Sequence, residues 1–179
     1  MKRFAVALAI LLISAAAAEA AGLKLASADL AAGEFVPRFI YDQSGCSGGN
    51  HSPALAWSDP PAGTKSFAVT VFDPDAPTGR GWWHWVVYDI PASLRALPQD
   101  AGAASGSNLP PGARQTDNDF GGPGYGGPCP PPGSPHRYVF TLYALDAAAI
   151  AAGSGPAEVA TGLKPHALAE ASFIVSYGR

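Results

Sequence analysis

Three stretches of the chain are nearly unbroken runs of apolar residues: Ser66 to Phe72, Trp82 to Ile90, and Arg137 to Leu145. They are rich in β-branched and aromatic side chains, which predicts strands. Continuous hydrophobicity, rather than strict alternation, further predicts central strands covered on both faces. Phe35 to Tyr41 also reads as a strand, placed at an edge because Pro37 cannot donate to a ladder. Phe173 to Tyr177 predicts a short last strand. Helix signals are few and fall late in the chain. Ala147 to Ala152 suggests one turn. Pro156 opens a run ending near Gly162, with Ser154 positioned to cap it. Lys164 or Pro165 to Ala171 has high helix propensity and predicts another helix. The pattern describes a mainly β domain with short helices near the C-terminus and no internal repeat.

The first residues follow a different rule. Lys2 and Arg3 precede an apolar run from Phe4 to Ile13, and small residues follow, with Ala18-Glu19-Ala20 as a cleavage site before Ala21. Charge, then apolar run, then small residues is the order of a secretory signal. The run is about half the roughly 20 residues a membrane span needs. Residues 1–20 are therefore expected to be a removable signal peptide and 21–179 a single domain, delivered to a periplasm or secreted. No other stretch is apolar enough to span a membrane.

Cleavage would remove Lys2, Arg3 and Glu19, leaving 9 basic and 13 acidic residues and a net charge of −4. A mildly acidic chain with scattered basic residues is not built to neutralise nucleic-acid phosphates, and it carries no polybasic patch for anionic lipid. In an oxidising compartment the two cysteines, Cys46 and Cys129, read as a disulfide, with two buried thiols as the alternative. On the chain-entropy model such a bond would contribute about 4 kcal/mol. Neither cysteine has a partner at zinc-ligand spacing. The 21 glycines and 18 prolines cluster in 44–63 and 98–135, which implies long ordered loops between apolar strands.

Candidate chemistry sits at strand ends. Phe72 runs into Asp73-Pro-Asp75-Ala-Pro77, where two prolines hold both carboxylates in a stiff turn. Trp82-Trp-His84-Trp85 opens the next strand and surrounds an imidazole with apolar rings, an environment that shifts pKa values. The segment from Gly121 to Pro135 is dominated by Gly and Pro and leads into His136-Arg137-Tyr138. Glycines let a ligand approach backbone N–H groups, and His136 and Tyr138 share one strand face. Each piece alone has a plainer reading, as a turn, a packed core histidine or a surface linker. Together, at the ends of strong strands, they predict a pocket. Asp117, Asn118 and Asp119 read as solvated loop residues.

These motifs resemble the phosphatidylethanolamine-binding protein family. The resemblance rests on Asp73-Pro-Asp-Ala-Pro77, Trp83-His-Trp-Val-Val87 and His136-Arg-Tyr-Val-Phe140. Ser52-Pro-Ala-Leu-Ala-Trp57, Gly124-Tyr-Gly-Gly-Pro-Cys-Pro-Pro131 and His166-Ala-Leu-Ala-Glu-Ala171 point to its bacterial Raf-kinase-inhibitor-like branch. It runs from about Leu23 to Arg179. It implies a large central β-sheet packed on a smaller one with short helices at one end, and a small anion pocket accepting phosphate-like groups. The matching positions are Asp73, Asp75, His84, Gly127, His136 and Tyr138. No contact is assigned to Pro128 or Pro130, because this loop has the bacterial Pro-rich form.

The chemistry of that set is coherent. Carboxylates repel an anion unless offset, and two charged histidines would offset them. An Asp can orient a His through its second N–H, glycine-loop N–H groups add fixed donors, and Tyr138 adds a hydroxyl. The resemblance favours a non-enzymatic binding or modulator protein, with no cofactor and a small anionic ligand such as phosphate or a phosphorylated headgroup. An exported protein would not meet cytosolic kinases. Two alternatives remain: an inhibitor of a secreted or periplasmic protease or other protein partner, acting through loops at 98–120, and a metal-assisted hydrolase using the two Asp and two His. Against the hydrolase, the chain has neither a His-Glu-x-x-His motif nor a Gly-x-Ser-x-Gly elbow.

Overall fold

The three long apolar runs pair with one another as the middle of an antiparallel sheet. The computed structural model describes residues 22–151, 153 and 155–179; the expected signal peptide lies outside them, as do Ala152 and Ser154. In chain order the elements are β1 (Lys24–Ala26), β2 (Leu55–Ser58), β3 (Ser66–Asp73), β4 (Trp82–Pro91), β5 (Ala96–Leu97), β6 (Arg114–Gln115), β7 (His136–Leu145), α1 (Pro156–Leu163) and β8 (Ala167–Tyr177). The large sheet has the order β6-β4-β3-β7-β8 and the small one β1-β2-β5, with every pairing antiparallel.

The period-2 geometry of β3 explains its unbroken hydrophobicity. Phe67, Val69 and Val71 face the small sheet, where they join Leu55, Trp57 and Leu97 in the main core. Ala68 faces the other way, into a second core with Val86, Tyr88, Tyr143, Leu145, Ile150, Val159 and Leu163, the last two supplied by α1. Both faces of β3 and β4 are thus buried, as expected of central strands. β7 is covered on both faces only over its second half; Arg137 is exposed, and Val139 and Thr141 are partly so.

Two expected elements differ. Phe35–Tyr41 is not an edge strand: Pro37 starts a 3-10 turn over Pro37–Phe39, closed by Phe39 N–H to Val36 O at 3.0 Å. A proline's fixed φ suits the first helical position, and the turn buries Phe35, Phe39 and Tyr41. The expected helix from Lys164 to Ala171 is only a 3-10 turn, Lys164–His166, after which Ala167 enters β8. The last strand is therefore 11 residues long, not the five from Phe173 to Tyr177. Helix propensity in Ala167–Ala171 yields to the ladder offered by β7, whose Leu145 pairs with Ala167. α1 starts at Pro156 as expected, with Gly155 in the cap position.

Candidate functional site

The site lies where β3 ends and β4 and β7 begin, so antiparallel pairing alone brings Asp73, Trp82 and the start of β7 to one edge of the sheet. Asp73 pairs with Trp82, and Phe72 with both Trp83 and Val139. Opposite the step from Val71 to Phe72, β4 carries an extra residue, because Val71 pairs with Trp85 and Phe72 with Trp83. That residue is His84. A bulge re-aims its side chain, and the ring meets Tyr138 edge-on at 5.0 Å and Phe120 at 5.4 Å.

A cavity of about 170 Å³ opens here. It is lined by the polar residues Asp73, His84, His136, Tyr138 and Thr78 and by Trp82, Phe120, Ala76, Pro77, Cys129, Pro130 and Pro131. A water occupies about 30 Å³ of liquid, so the space suits a ligand of a few heavy atoms.

Asp73 and His136 form the polar centre. His136 Nδ1 donates to Asp73 Oδ2 at 2.7 Å, and Asp73 Oδ1 accepts from Asp75 N–H at 2.8 Å. Asp73 is 3% exposed, and a buried carboxylate needs such partners. The bond fixes the ring orientation and leaves Nε2 as its second polar atom.

His84 behaves differently. It is fully buried, and its Nδ1 lies 2.6 Å from the carbonyl of Gly126. A carbonyl only accepts, so Nδ1 carries the proton. Burial pulls its pKa down to about 4, against the weaker pull of the Gly126 carbonyl and the Asp73 charge. His84 is therefore neutral at neutral pH, and the expectation that both histidines act as cations is corrected for His84.

Among the described residues, two donors from residues lining the cavity lack partners. Tyr138 Oη and Trp82 Nε1 are buried without a hydrogen bond, and both residues line the cavity. Burial, reinforced by the Asp73 charge, raises the Tyr138 pKa, so the hydroxyl keeps its proton.

The structure brings Asp73, His84, His136 and Tyr138 together and leaves Asp75 and Gly127 out of the cavity wall. Asp75 turns to Arg137, taking Nε at 2.9 Å, Nη2 at 2.7 Å and the backbone N–H at 2.9 Å. That guanidinium holds the Asp75 carboxyl down at about 2. Gly127 sits behind the wall: its N–H donates to Asn50 Oδ1 at 2.7 Å, and a Cβ there would strike the backbone of Phe39 and Tyr41. Its role is close approach of two chain segments.

The Pro-rich wall is fastened from several sides. Cys129 is bonded to Cys46, with Cα atoms 6.0 Å apart. Arg179 donates from Nε to Pro130 O at 2.6 Å and from Nη1 to Gly45 O at 2.8 Å. Asn118 and Asp119 are not simply solvated. Asn118 is buried and bridges Gly124 O and Phe120 N–H, while Asp119 accepts from Trp83 N–H at 2.8 Å. They position Phe120, which stacks on Tyr41 at 4.0 Å. Phe120 and the two wall prolines escaped the sequence reading because their contacts are long-range; the Asx pattern at Asn118 was the available signal. Among the described residues no three His, Cys, Asp or Glu converge to hold a metal ion.

The family model for phosphatidylethanolamine-binding proteins matches residues 26–178. The chain belongs to this family. Escherichia coli UPF0098 protein YbhB is 48% identical over 158 residues, covering 87% of this chain and 99% of that protein. UPF0098 protein YbcL of the same organism is 54% identical over 130 residues, covering 72% and 71%. The crystal structure of E. coli YbcL, described as a new member of the mammalian family, superposes with a TM-score of 0.85 at 45% identity, covering 89% of this chain and 99% of that one. A Chlamydia trachomatis homologue gives 0.71 at 30% identity, covering 88% and 98%. The two-sheet architecture of the phosphatidylethanolamine-binding proteins is the one found here.

Proposed function

We propose that the protein is a non-enzymatic binder of a small oxyanion, phosphate or a phosphorylated headgroup, in the cavity between Asp73, His84, His136 and Tyr138. The single observation that carries this reading is the pair of orphaned donors, Tyr138 Oη and Trp82 Nε1, in the wall of one small cavity. A buried donor without a partner costs about 1–3 kcal/mol. An oxyanion recovers that cost by accepting from both. Protonated His136, oriented by Asp73, adds a charge-assisted donor, and its charge offsets the carboxylate that would otherwise repel the ligand. Neutral His84, its Nδ1–H held by the Gly126 carbonyl, adds a rigid ring without a charge. A disulfide on the rim and the signal-like pattern of residues 1–20 support a periplasmic or extracellular setting.

Phosphate titration of isotopically labelled protein between about pH 5 and 8 tests this. Saturable shifts are expected at His136, Tyr138 and Trp82 Nε1–H. Absence of shifts at His84 and His136 across that range overturns the proposal.

A further inference from the structure

A second pocket, of about 250 Å³, lies between the turn at Pro37–Phe39, the loop carrying Cys46 and the end of β8. It shares no lining residue with the cavity of Asp73 and His136. Pro37 and Ile40 give it an apolar side, and Ser47, Tyr177 and Arg179 give it polar side chains. Its charge differs from that of the first cavity. Arg179 is the one charged residue lining it, and no carboxylate does so, whereas Asp73 stands inside the other.

The Arg179 guanidinium is already fixed in place. Nε donates to Pro130 O at 2.6 Å and Nη1 to Gly45 O at 2.8 Å. Gly45 has a φ of +80°, and a Cβ there would lie 3.4 Å from Nη1, so glycine is what admits this contact. The main-chain oxygen of Arg179 accepts from Gly133 N–H at 3.2 Å. The loop beneath is tied by Cys46 N–H to Gln43 O at 2.9 Å, by Gly48 N–H to Tyr41 O at 2.8 Å and by the disulfide. The second hydrogen of Nη1 and both of Nη2 remain unused. Together they form the end-on fork that takes a carboxylate through two parallel hydrogen bonds. Among the described residues the Tyr177 and Ser47 hydroxyls have no hydrogen-bond partner either.

We infer that this pocket is a second binding site, for a carboxylate carried on a short apolar group: the carboxylate seats on the Arg179 fork beside Ser47 and Tyr177, and the apolar group lies against Pro37 and Ile40.

Size, polarity and rigidity select that class. With about 30 Å³ per water, the space suits a ligand of roughly ten heavy atoms. A bare inorganic anion would leave the apolar side unfilled. A hydrocarbon would cover the guanidinium and hydroxyls without pairing them, which is costly. Because Arg179 is held before any ligand arrives, binding does not have to order a long side chain. Free short-chain carboxylic acids and the carboxy-terminal residue of a peptide share this chemistry.

NMR titration of the isotopically labelled, disulfide-bonded protein, in a buffer free of carboxylate and phosphate, tests the inference. N-acetyl-leucine stands for the peptide end and isovalerate for the free acid, and the tighter of the two names the source. Saturable shifts are expected at Arg179 Nε–H, Ser47 and Tyr177. N-acetyl-leucinamide, with the same apolar group and no charge, should bind at least about tenfold more weakly than the acid. The double variant Tyr177→Phe, Ser47→Ala removes both hydroxyls and no charge; it should weaken the carboxylate about tenfold, with an unchanged melting temperature as the folding check. Arg179→Lys, which keeps the charge and loses the fork, should weaken it by about as much. No saturable shift with either acid up to about 20 mM, an amide that binds as tightly as the acid, or an affinity unchanged in both variants overturns the inference.

Discussion

Replacing Tyr138 with phenylalanine should make the unliganded protein more stable and its anion binding weaker. The substitution removes one atom. The ring stays where it is, edge-on to Phe35 at 5.4 Å and to His84 at 5.0 Å, so the packing of a residue 1% exposed is kept. The atom removed is a buried hydroxyl without a partner. Relieving that burial should stabilise the fold by about 1–2 kcal/mol, from the cost of an unsatisfied polar group. At this chain length each kcal/mol moves the melting temperature by roughly 2–4 °C. With phosphate bound the same hydroxyl donates to a charged acceptor, worth about 1.5–3 kcal/mol. Its loss should therefore raise the dissociation constant about ten- to a hundredfold. Calorimetric unfolding without ligand and isothermal titration with phosphate measure the two effects on one preparation. Saturating phosphate should then stabilise the parent more than the variant, by linkage. A phosphate affinity within about threefold of the parent, or an unliganded variant that melts below the parent, refutes the reasoning.

Protonation should act through His84. Its pKa in the fold, about 4, lies below its ordinary 6.5, so the unfolded chain binds more protons between those values. Its contribution to stability is complete above pH 6.5 and is lost as the pH falls toward 4, about 3 kcal/mol in all; denaturant unfolding of the parent and of His84→Asn over that range should show the slope only in the parent. The two carboxylates should separate cleanly. Asp73→Asn should change phosphate affinity strongly by freeing His136, whereas Asp75→Asn, which loses only the Arg137 pair, should change it less than about threefold by titration calorimetry. Replacing Cys46 and Cys129 with serine removes a cross-link over 83 residues of sequence, and urea unfolding should show a loss of about 4–5 kcal/mol. Arg179→Ala, which releases the Pro130 and Gly45 carbonyls, should weaken phosphate binding while Tyr138 and His136 still shift in titrations.

The large sheet was legible because its strands carry their own signal. β3 and β4 are buried on both faces, and a run with no polar period can be little else than a central strand. The small sheet gave no comparable signal. β2 is four residues inside a Gly/Pro-rich segment, and β1 and β5 are shorter still. Their identity as strands comes from Leu25 lying opposite Trp57 and Leu55 opposite Leu97, which is a property of the assembled core. Ala167–Ala171 misled for a related reason. An alanine-rich segment favours helix locally by a few tenths of a kcal/mol per residue, and a continuous ladder to β7 outweighs that. Pro165, just before it, permits a single 3-10 turn and then a change of direction.

The site was legible as chemistry and not as geometry. The grouping of Asp73, His84, His136 and Tyr138 could be anticipated because each stands at the end of a strong strand, and antiparallel strands share their ends. What pattern could not supply is the direction of each side chain. Alternation along β4 would turn His84 away from Trp85, toward the face carrying Val86; the extra residue opposite Val71–Phe72 turns it into the cavity instead. Two residues of turn likewise separate the fates of two aspartates, one holding His136 and one taken by Arg137. Electrostatics then follows burial. Because His84 is sealed against Gly126, burial keeps it neutral, whereas His136 keeps partial exposure and a carboxylate partner. The cavity thus sets a carboxylate-held imidazole and two unpartnered donors beside an apolar wall, the arrangement on which the proposed oxyanion site rests.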